Sequence, residues 1–126
     1  MKSVFVTGAS GFIGKNLIRK LKNKKYEFYQ ASSIQGDISS PQTWNSFEAC
    51  DILVHLAAKS FVPESWEHPQ RFMQDNLIGT INGLEYCKRN NSKFIFLSSY
   101  LYGNVDKLPI SESFPTIANN PYGLSK

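Results

Sequence analysis

A glycine-rich turn near the start of the chain, at Gly8, Gly11 and Gly14, constrains the fold more than any other feature of the sequence. Residues 2–7 before it form a β-branched and aromatic run, which predicts a buried strand. After it, apolar residues recur at helical spacing with lysines between them, which predicts an amphipathic helix over about residues 11–23. A strand that leads through three glycines into a helix is typical of an α/β fold.

The spacing of the glycines predicts a phosphate-binding turn. Glycine lets backbone N–H groups come close to a pyrophosphate, and the start of a helix places partial positive charge there. A dinucleotide site is therefore expected, and a tight turn that only packs the helix is the alternative. The residues predicted to form the site are Gly8, Gly11, Phe12, Ile13 and Gly14. A P-loop is disfavoured, because Ala9 and Asn16 stand where that motif requires glycine and Ser or Thr.

Strands and helices alternate along the rest of the chain. Further strands are predicted over residues 26–31, 52–58 and 93–97, with a short extended piece near Ile34. Helices are predicted over residues 41–49 and 69–90 and from Pro121 onward. The residues expected on the buried side of the long helix are Phe72, Met73, Leu77, Ile81 and Leu84. This alternation predicts a parallel sheet with ligands beyond the carboxyl ends of its strands, in one domain over residues 1–126.

Composition places the chain among folded globular proteins, since 41% of its residues are apolar and 19% are charged. The net charge of +4 arises mainly from one cluster, formed by Lys15, Arg19, Lys20, Lys22, Lys24 and Lys25. A nucleic-acid surface is conceivable there, but a solvated helix face is favoured, so no nucleic-acid partner is expected. No apolar run reaches the roughly 18 residues of a membrane span, and no secretory signal is seen. A cytoplasmic location without membrane contact is therefore expected.

Cysteine and histidine do not predict a metal site. Cys50 and Cys87 lie far apart without a second pair, which favours two buried thiols over a zinc site or a disulfide framework. His55 lies in an apolar strand and is interpreted as a core histidine with satisfied hydrogen bonds.

The end of the second strand bears on the choice of dinucleotide. A carboxylate there commonly binds the ribose hydroxyls, but Gln30, Ala31, Ser32 and Ser33 occupy these positions. The stretch has neither a carboxylate to repel a 2′-phosphate nor an arginine to attract one. NAD and NADP therefore both stay open as cofactors, with NAD favoured, and Lys15 is the residue that could reach a 2′-phosphate.

Six segments in order along the chain share their pattern with one protein family. They are TGASGFIG at 7–14, DI at 37–38, DILVHLAA at 51–58, NLIGT at 76–80, SSYLYG at 98–103 and YGLSK at 122–126. Together they resemble the extended short-chain dehydrogenase/reductase family of nucleotide-sugar epimerases and dehydratases. The resemblance implies a Rossmann-like doubly wound parallel sheet in three αβα layers, truncated before a C-terminal substrate domain. It also implies that this chain is the cofactor-binding half of an NAD(P)-dependent enzyme and is inactive alone.

Tyr122 and Lys126 carry the predicted chemistry. Four residues apart on one helix, they share a face, so the ammonium can favour the ionised phenol and make Tyr122 a general acid or base. The resemblance implies the same roles, with Lys126 also binding the nicotinamide ribose. Ser98, at the end of a strand, would hydrogen-bond the substrate oxygen. Counting back from Tyr102 selects Ser98, and Ser99 is the alternative if the loop is shifted by one residue.

The resemblance implies further cofactor contacts. Asp37 and Ile38 would hold the adenine, although a turn before a helix is the other interpretation of Asp37. Asn76 would support the site from below, with a surface amide as the alternative. The residues expected to line the middle of the cofactor are Leu56, Ala57, Ala58 and Lys59.

The type of reaction is narrowed by one departure from the family pattern. Dehydratases of this family place an acidic pair after the catalytic Ser or Thr, where this chain has Ser99 and Tyr100. Epimerisation or ketone reduction of a nucleotide sugar is therefore expected ahead of a 4,6-dehydratase reaction. A non-catalytic dinucleotide-binding module is a further alternative, and a homodimer is a possible assembly.

Overall fold

The computed structural model describes residues 2–24 and 26–126 and contains one parallel sheet. Its strands are β1 (Ser3–Thr7), β2 (Glu27–Ala31), β3 (Ile52–His55) and β4 (Lys93–Phe96). They lie in the order β2-β1-β3-β4, and all three neighbouring pairs are parallel. The chain thus moves outward from β1 in both directions, which is the doubly wound arrangement predicted from the sequence.

The helices follow the predicted alternation with shorter bounds. They are α1 (Phe12–Lys22), α2 (Pro41–Asn45), α3 (Val62–Glu67), α4 (Pro69–Phe72), a π-helical segment (Met73–Ile78), α5 (Gly79–Asn90) and α6 (Pro121–Ser125). The sequence analysis missed α3, and its single helix over residues 69–90 contains the π-helical segment. Ile34 lies in a turn closed by a hydrogen bond from Gln35 N to Ser32 O (3.0 Å), so the predicted extended piece there is wrong.

Side chains of β1 alternate between two cores, one on each face of the sheet. Val4 and Val6 pack with Ile18 and Leu21 of α1 on one face. Phe5 faces the opposite side, where the buried cluster contains Trp44 of α2, Leu53 of β3 and Tyr86 of α5. Helices therefore cover both faces, and the three-layer αβα architecture is confirmed.

The buried face of the long helix differs from the prediction. Leu77, Ile81 and Leu84 are 44%, 44% and 47% exposed, and only Phe72 of the expected set is fully buried. Asn76, Gly79, Gly83, Tyr86 and Cys87 occupy the inner face instead. The two glycines allow close approach, because a Cβ built at Gly79 would lie 2.8 Å from Ile38 Cδ1 and one at Gly83 would lie 3.1 Å from the Trp44 ring. Apolar periodicity fails here because small and hydrogen-bonded residues form the contact.

The cysteines and the basic cluster lie where the sequence predicts. Cys50 and Cys87 are buried free thiols, as predicted. The basic residues at positions 15, 19, 20, 22 and 24 are exposed, whereas Lys25 lies outside the described residues. Among the described helices, none is long and apolar enough to cross a membrane.

Candidate functional site

An open cavity of about 480 Å³ lies at the carboxyl ends of β1, β2 and β3. The end of β1 and the start of α1 contribute Gly8, Ser10 and Gly11, while the end of β2 contributes Ala31, Ser32 and Ser33. The remaining lining residues are Gly36, Asp37, Ile38, Leu56, Ala57, Ala58, Lys59 and Asp75. This is the edge at which ligands of open α/β sheets bind.

The conformation and the close contacts of the glycine turn leave no room for a Cβ atom at Gly8 or Gly14. Gly8 has a φ of 68°, and a Cβ built there would lie only 2.6 Å from Ala57 N. A Cβ at Gly14 would lie 2.7 Å from Ala9 Cα, so α1 could not approach the turn as closely. Gly11 meets only Gly8 O, at 3.3 Å. The turn thus presents bare backbone to the cavity, with the first N–H groups of α1 beside it.

The structure separates the predicted cofactor residues into two groups. Gly8, Gly11, Asp37, Ile38, Leu56, Ala57, Ala58 and Lys59 line the cavity. Phe12, Ile13, Gly14, Asn76, Tyr122 and Lys126 lie outside this lining. Phe12 is 86% exposed, whereas Gly14 is buried beneath the turn.

The end of β2 is neutral, as the sequence indicates. Ser32 is held by Gln35, whose Oε1 accepts hydrogen bonds from Ser32 N (2.6 Å) and Ser32 Oγ (2.9 Å). Gln35 therefore occupies the donors of Ser32, and the exposed Ser33 presents a second hydroxyl at this end of the cavity.

Asp37 takes part in a turn and also lines the cavity. Its Oδ1 accepts a hydrogen bond from Ser39 N (2.8 Å), so the side chain stabilises the turn before α2. Asp37 is nevertheless exposed and lines the cavity beside Ile38. One carboxylate oxygen can therefore fix the turn while the other faces the cavity.

Asn76 is a buried connection between three parts of the site. It is 1% exposed, and its Oδ1 accepts a hydrogen bond from Lys59 N (2.7 Å). Its Nδ2 donates to Lys59 O (3.0 Å) and to Ser125 Oγ (2.8 Å). The surface-amide alternative is therefore wrong: Asn76, in the π-helical segment, ties the cavity wall to α6. π-Helical segments often occur at functional sites.

Charges at one end of the cavity surround Lys59. Its Nζ lies 3.8 Å from Glu64 Oε1 and 3.9 Å from Asp75 Oδ2. Burial raises the pKa of the Asp75 carboxyl, and the Lys59 ammonium opposes this rise. Both ion pairs are too long for strong hydrogen bonds, so the ammonium keeps the capacity to bind a ligand.

Tyr122 pairs with Ser99. Tyr122 Oη donates a hydrogen bond to Ser99 Oγ (2.9 Å), and Ser99 is partly buried. Ser98 is exposed. The side chain that meets Tyr122 is thus that of Ser99, the alternative residue, and not that of Ser98, which the count from Tyr102 selects.

Lys126 follows Tyr122 by four residues, and its side chain contacts the end of β4. Its Nζ donates to Leu97 O (2.8 Å) and lies 4.5 Å from the centre of the Phe96 ring. Burial lowers the pKa of Lys126. The ammonium is therefore anchored at the end of β4 instead of on the phenol.

Residues 4–126 match the family model described as the NAD dependent epimerase/dehydratase family. The chain belongs to this family. A curated member, the GDP-6-deoxy-D-mannose reductase of Pseudomonas aeruginosa, is 35% identical over 139 residues, which cover 98% of this chain and 43% of the reductase. The chain thus spans less than half the length of this relative, and the family resemblance inferred from the sequence is confirmed.

Solved structures of family members support the fold. RMD from Pseudomonas aeruginosa, complexed with NADPH, superposes with a TM-score of 0.87 and 34% identity, over 100% of this chain and 46% of RMD. UDP-glucose 4-epimerase from Bifidobacterium longum, in complex with NAD⁺ and UDP, has a TM-score of 0.89 and 30% identity, over 98% of this chain and 45% of the epimerase. Both forms of the dinucleotide therefore occur among relatives of similar identity.

Three residues that line the cavity were not among the candidates from the sequence: Ser10, Gly36 and Asp75. Ser10 lies inside the glycine motif, so the motif itself could have included it. Gly36 has a φ of 134° and is the neighbour of Asp37, a predicted site residue. Asp75 is adjacent to Asn76 in the π-helical segment. The direction of its side chain depends on the π-helical geometry, which the sequence did not indicate.

A dinucleotide fits the residues that are present. The bare glycine backbone and the N-terminus of α1 suit a pyrophosphate, and Ala57 and Ala58 leave room along the opposite wall. A Cβ at Gly8 would fill the point where the turn and this wall meet. Asp37 and Ile38 offer one acceptor and one apolar surface for a base at the far end.

Proposed function

We propose that this chain is the cofactor-binding part of an NAD(P)-dependent nucleotide-sugar epimerase or ketoreductase. The observation that carries the proposal is the hydrogen bond between Tyr122 Oη and Ser99 Oγ (2.9 Å), at the same sheet edge as the glycine-turn cavity. An acid–base pair and a dinucleotide-sized cleft at one edge suit hydride transfer. On this proposal residues 1–126 form one NAD(P)-binding domain, and the substrate-binding residues lie in other parts of the protein.

Tyr122 is the proposed acid–base residue. The nicotinamide would supply the redox chemistry, since its oxidised form accepts a hydride from a carbinol and its reduced form gives a hydride to a ketone. Tyr122 Oη would take the carbinol proton during oxidation or return it during reduction. Ser99 Oγ, which now accepts from Tyr122, would then hydrogen-bond the same substrate oxygen. We therefore propose Ser99 for the role that the sequence analysis gave to Ser98.

Lys126 is proposed to act on the cofactor and on Tyr122 through charge. Its ammonium is fixed by Leu97 O and the Phe96 ring, so its position is defined before a ligand binds. A cation near a phenol favours the phenolate, which is the form that accepts a proton.

The choice between reaction types rests on the two residues after Ser99. These are Tyr100 and Leu101, so neither candidate serine is succeeded by an acidic pair. Epimerisation or ketone reduction is therefore proposed ahead of 4,6-dehydration. A homodimer and a cytoplasmic location stay predictions, as does the absence of a nucleic-acid partner.

The test measures turnover of a nucleotide sugar by the complete protein. It compares wild type with the variants Tyr122→Phe, Ser99→Ala and Ser98→Ala. Loss of a positioned acid–base group lowers kcat by about 100-fold or more, so Tyr122→Phe is expected to retain at most about 1% of activity. Ser99→Ala is expected to be strongly impaired, and the matched variant Ser98→Ala is expected to stay near wild type. Undiminished turnover by Tyr122→Phe would refute the assignment, and a reversed serine order would restore Ser98.

A non-catalytic module that only binds a dinucleotide is the second candidate, and the same variants distinguish it. Its cavity would bind NAD⁺ or NADP⁺ without any hydride transfer in the complete protein. Calorimetric binding that is unchanged by Tyr122→Phe, together with no turnover of any nucleotide sugar, would favour this module over the enzyme.

A further inference from the structure

His55 is a buried histidine that the proposed chemistry does not use. It ends β3, is 1% exposed, and its Nδ1 lies 2.8 Å from Thr7 Oγ1. Its ring stacks with Phe94 and Phe96, at centroid distances of 5.8 and 6.3 Å. Nε2 is buried and has no hydrogen-bond partner among the described residues. The expected core position of His55 is therefore confirmed, whereas the expectation of satisfied hydrogen bonds holds for Nδ1 and is wrong for Nε2.

Thr7, the partner of His55, binds the backbone of the cavity wall at residues 56–58, which faces the glycine turn. Its carbonyl oxygen accepts a hydrogen bond from Leu56 N (3.3 Å), and its Oγ1 accepts one from Ala57 N (3.3 Å). Ala57 is also the residue whose N would lie 2.6 Å from a Cβ at Gly8. Thr7 thus stands directly behind the point where the glycine turn and the wall at residues 56–58 meet.

We propose that His55 is a positioning residue for the dinucleotide site. Its Nδ1 accepts the Thr7 hydroxyl hydrogen and so turns the lone pairs of Thr7 Oγ1 toward Ala57 N. This fixes the separation between the glycine turn and the wall at Leu56 and Ala57, across which the cofactor must lie. The inference rests on the proposed function and extends it to a residue that does not line the cavity.

The number of donors and acceptors on Thr7 and His55 favours donation from the Thr7 hydroxyl to His55 Nδ1. Thr7 is fully buried and its hydroxyl has one hydrogen, for which His55 Nδ1 is the acceptor within reach among the described residues, while Thr7 Oγ1 itself accepts from Ala57 N. The ring then carries its proton on Nε2, the buried atom without a described partner. Burial and the nearby Lys126 charge lower the pKa of His55 to about 4, so the ring is neutral at pH 7 and Nδ1 can accept.

An unpaired buried ring N–H weakens the fold, because it loses its bonds to water without replacement. A phenylalanine in the same stack would avoid that loss. Stability alone therefore does not explain a histidine at this position. This makes stability and cofactor affinity separable in experiment.

The test measures the Kd for NAD⁺ and NADP⁺ by calorimetry, and the urea midpoint of unfolding, on the same preparations of the chain. His55→Phe keeps the stacked ring and removes Nδ1. Loss of one orienting hydrogen bond is expected to weaken binding by about two- to tenfold, with an unchanged or higher midpoint. In His55→Asn the amide oxygen takes the place of Nδ1. This variant is expected to bind the dinucleotide more tightly than His55→Phe, with an affinity close to wild type, but to be less stable because the stacked ring is lost.

Two controls complete the design. Tyr86→Phe removes a buried hydroxyl that donates to Glu48 O on the same face of the sheet, away from the cavity. It is expected to lower the midpoint and leave the Kd unchanged. His55→Gln, whose amide lies nearer the Nε2 position, is expected to bind as weakly as His55→Phe and serves if that variant does not fold.

The outcomes distinguish this inference from the proposed function. Wild-type affinity in both His55→Phe and His55→Gln would overturn the positioning role while leaving the dinucleotide site intact. An equal loss of affinity in Tyr86→Phe would also overturn it, because general destabilisation would then explain the effect. Failure of the folded wild-type chain to bind either dinucleotide would overturn the proposed function, and the inference with it.

Discussion

Replacement of Asn76 by leucine offers a direct test of how the site is held together. The amide is buried and makes three hydrogen bonds of 2.7 to 3.0 Å, two to the backbone of Lys59 and one to Ser125 Oγ. Leucine has a similar volume but can make none of these bonds. Ser125 Oγ keeps its own hydrogen bond to Tyr122 O (2.7 Å), whereas Lys59 N and Lys59 O both lose Asn76.

The magnitude follows from these two backbone groups. A buried backbone group left without a partner costs about 1–3 kcal/mol, so two of them cost about 2–6 kcal/mol. Burial of the added apolar surface offsets about 1–2 kcal/mol of this loss. The free energy of unfolding is therefore expected to fall by about 3 kcal/mol, a large fraction of the stability of a small domain.

Urea denaturation of wild type and variant measures this difference, provided that the slope of the unfolding free energy against urea stays the same. Asn82→Leu, in the α5 helix that follows the π-helical segment, is the matched control. Asn82 Nδ2 donates to Ile38 O and Ser39 O, at 3.0 Å each, but Ile38 O also accepts from Trp44 Nε1 (2.7 Å). The control is expected to lose about 1 kcal/mol. A loss in Asn76→Leu no greater than in this control would refute the reasoning.

Two further predictions concern the glycine turn and the response to acid. Gly8→Ala is expected to abolish dinucleotide binding in calorimetry and to cost at least about 1–2 kcal/mol of stability, because alanine at a φ of 68° is strained and its Cβ meets Ala57 N. Gly11→Ala is expected to cost less stability, because Gly11 has a φ of −72° and its Cβ would meet Gly8 O at 3.3 Å. The pKa of His55 is lowered from 6.5 to about 4, so the unfolded chain binds this proton first as the pH falls. Protonation of His55 is therefore expected to lower the free energy of unfolding by about 3 kcal/mol between pH 6.5 and pH 4. Urea unfolding of wild type and His55→Phe at each pH measures this loss. An equal loss in His55→Phe would contradict the prediction.

The parallel sheet and the glycine turn could be predicted from local patterns. The strand over residues 2–7, the glycine spacing and the helical recurrence after it are all properties of consecutive residues, and the backbone must adopt them nearly independently of distant contacts. Buried parallel strands are apolar on both faces, which made β3 recognisable from its composition. The family followed from the order of six such segments, and the family model confirms it.

The inner face of the long helix could not be predicted in this way. Leu77, Ile81 and Leu84 satisfy the apolar period, yet Gly79 and Gly83 form the contact because Ile38 and Trp44 fill the space that a side chain would need. Asn76 is buried because Lys59, 17 residues earlier, supplies both a donor and an acceptor. Such complementarity depends on atoms from two distant segments.

The sequence by itself determined the layered α/β architecture, the glycine turn and the residue types available at the carboxyl edge of the sheet. Only the tertiary structure decided that Tyr122 meets Ser99 and not Ser98, that Lys126 binds Leu97 O, and that His55 supports Thr7. The physical reason is that local sequence sets backbone conformation over a few residues. Which of two adjacent loop residues meets a distant side chain, or which strand ends share a hydrogen bond, is determined by packing across the whole sheet.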